Sequence, residues 1–390
     1  MAAKYTEVVS STGWGGNVKR RGKGAIIGIL LFILAFPLLW WNKGQLKEQH
    51  EGLDWLKTNT VSIDPREAAA DTDGQSVHMI GTPQTDETIS DQRFGLALNS
   101  LLRLKREVEM FQWKKTETTR TEDTAGGGSR TVKEYTYDRV WSEQFYDSSG
   151  FRYADKHPNP PTMEYQSRWH NAQNASFGVF RLEQNVIGQL DETRDLPLGG
   201  YSITPPEGFQ LASETYLFRG AGSLNSPQIG DYRTVFRYVA LDPISMIARQ
   251  SGNRLQSVRT ANNLEYLLVG QGQFTAEDLI EKRRGEEELK AWIIRAVGMI
   301  MMAIGVQSVF ALLGSLLGFI PFVRGLAGGI GFIAGVMVAI TLGSLTIAMA
   351  WLAARPVFAM GLLAVAATTL IAGGFFGRRK VKQNNSLAKA

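Results

Sequence analysis

Apolar and polar positions are segregated along the 390 residues. The stretch GAIIGILLFILAFPLLWW, residues 24–41, carries no charge. As a helix it is long enough to cross about 30 Å of hydrocarbon. Three further apolar stretches follow near the C-terminus, at residues 291–320, 326–354 and 357–377, parted by PFVRG and by Arg355-Pro356. This pattern predicts a multi-pass α-helical membrane protein with four transmembrane helices. Between residues 42 and 290 the period changes, and a large β-rich α+β extracytoplasmic domain is expected there, inserted between helices 1 and 2.

Inside that insert, Leu46, Leu53 and Leu56 recur at helical spacing, which predicts an amphipathic helix leaving the membrane. Leu102, Leu104, Val108 and Met110 alternate with Arg103, Lys105, Glu107 and Glu109, the period of a half-buried strand. At Met110-Phe111 the phase slips, so either a bulge sits there or both faces are covered. Residues 133–146 alternate again, with Tyr135, Tyr137, Trp141 and Phe145 in one phase. The intervening TEDTAGGGSRT predicts a flexible polar turn, and the two strands a long hairpin with one aromatic-rich face. Strand-like runs continue to residue 272, and Ser251-Gly252-Asn253 predicts a hairpin turn. A last amphipathic helix begins at Thr275, an N-cap with Asp278 in the capping-box position, and leads into the second span with Gly285 as a place for a break.

Charge follows the same division. Residues 42–290 hold 29 basic and 36 acidic side chains, a net of −7, whereas the flanks hold 13 basic residues and the single acid Glu7, a net of +12. The basic excess therefore belongs to the membrane flanks, and an acidic domain argues against nucleic acid as a partner. The excess of basic residues on the cytoplasmic side places both termini there: a basic segment 1–23, a basic tail 378–390, and residues 42–290 in the periplasm or a lumen. Interfacial anchors are Arg20 and Arg21 before the first span and Trp40 and Trp41 closing it. Arg295 snorkels outward from the second span, Arg355 lies in the far-side loop, and Arg378 and Arg379 follow the last span. Ala327, Gly331, Gly335, Ala339 and Gly343 trace a ridge of small residues, the helix-packing surface of the third span. Gly24–Gly28, Gly314–Gly318 and Gly373–Gly377 repeat the same spacing.

Candidate chemistry is sparse. With no cysteine there is no thiolate nucleophile, disulfide or cysteine metal site. His50, His78, His157 and His170 share no ligand spacing, and the glycine runs match neither a phosphate-binding loop nor a dinucleotide fingerprint. The expected catalytic, cofactor-binding and metal residues are none.

The motifs SVHMIG, LRLKREVEMFQW, YTYDRVWSEQF, GDYRTVF, ISMIARQSGNRL, FTAEDL, LKAWIIRAVGMIMMAIG and WLAARP occur in this order around the same anchor-insert-spans arrangement. Over residues 25–377 the chain closely resembles the transmembrane protein 43 (LUMA) family. The resemblance implies an endoplasmic-reticulum or inner-nuclear-membrane protein in eukaryotes, with a lumenal domain, organising envelope complexes with lamins and emerin. The family also has bacterial members. This chain departs from the animal pattern in its first twenty residues and in lacking cysteine, so the lamin and emerin partnership is not carried over to it. A bacterial member in the inner membrane is expected, or an endoplasmic-reticulum or inner-nuclear-membrane protein if the host is eukaryotic. The resulting expectation is a non-enzymatic membrane scaffold that self-associates in the bilayer. The alternatives are a lipid-binding or membrane-stress-sensing module, and then a channel or transporter.

Overall fold

The computed structural model describes residues 3–67, 70–124 and 127–316, with scattered helical positions between 337 and 371. The sequence pattern led to a class of four membrane-spanning helices, and that class is overturned. Among the described residues two helices are long and apolar enough to cross a membrane, α1 (Trp14–Asn59) and α2 (Ala276–Leu316), and the chain between them is rich in β-sheet. Residues 326–354 and 357–377 lie almost wholly outside the described residues. Hydrophobic runs alone made the expectation, and length and composition do not distinguish every buried or embedded helix from a span.

The chain divides into two compact units. The first comprises Met1–Thr6, Glu51–Thr118 and Glu134–Arg284; the second comprises Glu7–His50, Thr119–Lys133 and Gly285–Ala390.

Two sheets build most of the first unit, and residues 7–12 of β1, 119–123 of β4 and 129–133 of β5 belong to the second. The strands used below are β1 (Ala3–Thr12), β2 (Thr60–Ser62), β3 (Ser76–Gly81), β4 (Leu101–Asp123), β5 (Ser129–Ser142), β6 (Ala175–Phe177), β7 (Phe180–Leu182), β8 (Gln210–Leu211), β9 (Tyr216–Arg219), β10 (Tyr232–Ala240), β11 (Ile244–Ser251), β12 (Arg254–Gln256) and β13 (Leu268–Gln271). The eight-stranded sheet runs β1-β5-β4-β10-β9-β8, with Arg168–Asn171 beside β4 and Arg194–Asp195 beside β10. The seven-stranded sheet runs β2-β3-β11-β12-β7-β6, with β13 also on β11. Gly252, at φ +57°, makes the tight turn joining β11 to β12.

Side-chain alternation dictates the layering. Leu102, Leu104, Val108 and Met110 of β4 share one core cluster with Val77 and Met79 of β3 and with Ile244, Met246 and Ala248 of β11. Ile247, pointing the other way from β11, joins Leu53 and Leu56 of α1 and Leu279 and Ile280 of α2 in a second cluster. Each fully buried side chain of this size contributes roughly 1.5–3 kcal/mol over its exposed state. The helix start follows its capping box: Asp278 N–H donates to Thr275 Oγ1 (3.1 Å) and Thr275 N–H to Asp278 Oδ2 (3.1 Å). No break occurs at Gly285, where α2 runs on unbroken.

At Met110-Phe111 both faces are covered. The β4–β10 register shifts between Val239 and Ala240, opposite Leu101–Arg103, and is unbroken from Arg103 to Met110; Met110, Phe111 and Gln112 are buried in succession. Phe111 packs on Trp141 (5.2 Å between centroids), while Gln112 Nε2 donates to the Gln144 carbonyl at 2.7 Å. The acids of β4 are matched across the ladder: Glu109 binds Arg233 and Glu107 binds Arg237, each at 2.6 Å. The aromatic face of the hairpin is used internally. Tyr137 stacks on His157 at 4.0 Å, and Tyr5 of β1 stacks on Tyr153 at 4.2 Å. Lys4 pairs with Glu134 at 2.9 Å. These contacts do not support an N-terminal segment separated from residues 42–290 by a bilayer, because residues 3–5 pack directly on residues 134–157.

One buried charge cluster fixes the eight-stranded sheet. Asp91 is 0% exposed and accepts hydrogen bonds from Arg106 Nη1 (2.5 Å to Oδ2), His170 Nε2 (2.9 Å) and the Phe94 N–H (3.1 Å). Arg106, itself 5% exposed, also donates from Nε and Nη2 to the Gln166 carbonyl. Burial pulls the Arg106 guanidinium below its ordinary value, and the Asp91 carboxylate opposes that pull.

Candidate functional site

The second unit is organised by pairing of α1 and α2. Gly28 faces Ser308, Leu39 faces Gly298 and Asn42 faces Ala291, so the helices run antiparallel. Small residues set the spacing. A Cβ on Gly305 would lie 2.6 Å from the Gly28 carbonyl oxygen and 2.7 Å from Phe32 Cβ; one on Gly298 would lie 2.8 Å from Leu39 Cδ2. With lipid offering no hydrophobic drive, such close backbone approach is what holds membrane helices together. Asn42 Nδ2 donates to the Ala291 carbonyl at 3.0 Å, and Ala35, Leu39 and Met302 are buried in the seam. The rest of the apolar surface points outward: Ile26, Ile27, Leu30, Ile33 and Leu34 of α1, and Ile293, Val297, Ile300 and Ile304 of α2, are exposed.

Around the N-terminal turns of α1 the hairpin tip closes as a polar clasp. Asn17 Nδ2 donates to the Gly127 carbonyl (2.9 Å) and Arg20 Nη2 to Ser129 Oγ (2.9 Å). Arg21 pairs with Asp123 at 2.5 Å and donates to the Ala311 carbonyl of α2 at 3.0 Å. The Trp14 indole N–H reaches the Ser315 carbonyl at 3.0 Å. Gly127 sits at φ +80°, and a Cβ there would lie 2.6 Å from Trp14 Cδ1, so Gly127 is a seat for the start of α1.

The predicted anchors separate on this frame. Trp40 and Trp41 are exposed beside the Asn42–Ala291 bond. Arg20 and Arg21 are engaged by the clasp. Arg295 does not extend outward: it is 5% exposed, with its guanidinium 4.6 Å from the Trp292 ring centre. Ala327, Gly331, Gly335, Ala339, Gly343, Arg355, Arg378 and Arg379 lie outside the described residues. Sequence reasoning passed over Gly298, Gly305 and Asn42. The available signal was a pair of glycines seven apart on one helix face, together with a polar side chain next to Trp41.

Among the described residues no group of three or more His, Asp or Glu could hold a metal. An open depression of about 420 Å³ is lined by Glu183, Gln184, Asn185, Arg254, Gln256 and neighbours, without a nucleophile–base pair. Asp64 is pushed down to about 2 by hydrogen bonds from the Arg66 side chain and backbone, on an exposed turn.

Two helices long and apolar enough to cross a membrane bracket a chain rich in β-sheet, the outline of a membrane protein. A family model described as Transmembrane protein 43 matches residues 110–356, and the chain belongs to that family of membrane proteins. It is 29% identical over 363 residues to Transmembrane protein 43 of Homo sapiens, covering 90% of this chain and 89% of that one. Against Transmembrane protein 43 of Rattus norvegicus it is 31% identical over 359 residues, 88% of each. The Transmembrane protein 43 homolog of Drosophila melanogaster is 24% identical over 354 residues, 89% of this chain and 93% of that one. No solved structure matches the chain.

Proposed function

We propose that this protein is a non-enzymatic membrane scaffold, which holds a stiff β-rich body at the bilayer and assembles with further copies of itself within it. The observation that carries this reading is the helix pair. Its inner seam is closed by Gly28, Gly298 and Gly305, while its outer faces present branched apolar side chains to whatever surrounds them. Buried charges in the body are matched to one another, as at Asp91, Arg106 and His170. Self-association is assigned to the ridge Ala327, Gly331, Gly335, Ala339 and Gly343. Native mass measurement in lipid nanodiscs tests this directly. The expected result is an oligomer that Gly331→Leu and Gly335→Leu convert to monomer. A monomer for the unaltered chain, or assembly unchanged by either substitution, overturns the proposal.

A further inference from the structure

Three neighbouring strands of the seven-stranded sheet each carry an arginine on one face. Arg181 of β7 and Arg254 of β12 are partners in parallel register, and Arg249 of β11 is the partner of Gln256, two residues along β12 from Arg254. Register partners stand on the same face of a sheet. All three arginines are exposed, while Phe180, Leu182, Ala248 and Leu255, which alternate with them, lie in the core. Like charges directly across a ladder repel, yet among the described residues none of the three meets a carboxylate. Arg181 donates to the Gln173 carbonyl at 3.5 Å, and the guanidinium groups of Arg249 and Arg254 have no hydrogen-bond partner among those residues. Two carboxylates on adjoining loops are turned elsewhere: Asp73 accepts the Gly252 N–H (2.8 Å), and Glu87 accepts the N–H groups of Gln173 (2.6 Å) and Asn174 (2.9 Å).

The depression of about 420 Å³ opens at the middle arginine of the three. Its volume falls within the roughly 300–1,000 Å³ usual for small-ligand sites. Arg254 and Gln256 of β12 line it, with Ser257 beyond them and Glu183 and Asn185 just past the end of β7. Gln184 also lines it but is spent, since its Nε2 donates to the Ala172 carbonyl (2.6 Å) and its Oε1 accepts from Asn171 Nδ2 (3.2 Å). The side chains of Glu183, Asn185, Gln256 and Ser257 have no hydrogen-bond partner among the described residues, so they are open to a ligand's hydroxyl groups.

We infer that this depression binds a phosphorylated polyol, with its phosphate on the Arg254 guanidinium and its hydroxyls on Glu183, Asn185, Gln256 and Ser257. Arg181 and Arg249, one strand to either side, supply the remaining counter-charge. Three arginines and one carboxylate leave a net of 3 − 1 = +2, and a phosphate monoester carries about −1.5 to −2 at pH 7. A guanidinium fork meets two phosphate oxygens at once, which gives direction as well as charge. Glu183 selects the carrier. A carboxylate accepts hydrogen bonds from hydroxyls and repels a second anionic group, so a polyol is favoured over a dicarboxylate or a bare phosphate.

Isothermal titration calorimetry on the full chain in phosphatidylcholine nanodiscs tests this, with glycerol 3-phosphate and glucose 6-phosphate as probes. Saturable binding of one ester per chain is expected, with glycerol, glucose and inorganic phosphate each at least about tenfold weaker. Arg254→Gln is expected to weaken the ester at least about tenfold, and Arg254→Lys, which keeps the charge and loses the fork, to fall between. Glu183→Ala is expected to narrow the ester's advantage over inorganic phosphate. Arg194→Gln, at a surface arginine paired with Asp242, is expected to leave binding unchanged. Binding of neither ester, inorganic phosphate as tight as the esters, or full binding by Arg254→Gln overturns the site. Vesicles of phosphatidylcholine doped with phosphatidylinositol 4-phosphate then identify the source: displacement of the ester assigns the group to a lipid headgroup, and no displacement assigns it to a soluble ester.

Discussion

Replacing Asp91 with Asn removes one charge from a site closed to water while keeping the side-chain shape. Arg106 would then hold a positive charge at 5% exposure with only the Gln166 carbonyl as a strong acceptor, and His170 would lose its carboxylate partner. Leaving one member of a buried ion pair uncompensated costs about 3–5 kcal/mol. For a unit of this size each kcal/mol moves the melting temperature by about 2–4 °C, so a fall of about 6–20 °C is expected. Near-UV circular dichroism of the full chain in detergent micelles reads it, because Trp169 lies against the neighbouring Arg103 guanidinium at 3.8 Å and reports the same sheet. The double variant Asp91→Asn with Arg106→Met removes both charges and should recover most of the loss. A melting temperature within about 2 °C of the unaltered chain for Asp91→Asn alone would refute the assignment of this cluster as the pin of the sheet.

Other expectations follow from single contacts. Gly220→Ala drives a Cβ into the Asp231 carboxylate, which also holds the N–H groups of Ala221, Gly222 and Gln228; a loss of about 1–3 kcal/mol should appear in thermal unfolding. His78 is buried between Ser62 Oγ (3.1 Å) and the Phe274 carbonyl (2.9 Å), and burial pushes its imidazole below the ordinary value. The neutral ring is therefore the folded form. Its contribution is complete above an unfolded pKa of about 6.5 and falls as the pH drops below it toward the folded pKa, so a His78→Gln variant should show a flatter acid limb in unfolding midpoint against pH. Gly305→Leu should part α1 from α2 and lower the melting of their helical signal in micelles, with the sheet signal unchanged.

How much of this was legible in the chain depended on whether a signal was local. The alternation of Leu102 to Met110 named β4 because one face meets the core cluster and the other the charge ladder with Arg233 and Arg237. Thr275 and Asp278 named the start of α2 because a cap is built from neighbours. Two pieces were hidden for the opposite reason. Strand β1 pairs with β5 more than a hundred residues away, and nothing in AKYTEVVSST announces that partner. Asp91 finds Arg106 and His170 across 15 and 79 positions. Gly127 read as part of a free turn because a turn and a seat for Trp14 ask for the same residue. The basic residues Arg20 and Arg21 matched an interfacial pattern, yet the same guanidinium groups suit a carboxylate and hydroxyl clasp. Apolar runs set the expected number of spans, and a run of that kind gives length without topology.

The antiparallel pairing of residues 24–41 with 291–316 is the claim on which the membrane reading stands. The chain contains no cysteine, so introduced pairs report without background. A Cβ on Gly28 would lie 2.5 Å from Ser308 Cβ, closer than the roughly 3.5–4.5 Å a disulfide spans, so the two helices bond after parting by about 1 Å. Oxidising the Gly28→Cys, Ser308→Cys chain in native membranes should give rapid intrachain bonding, while Ile27→Cys with Ser308→Cys, which turns one thiol outward, should give little. Bonding of the second pair as fast as the first, or none for either, would contradict the pairing.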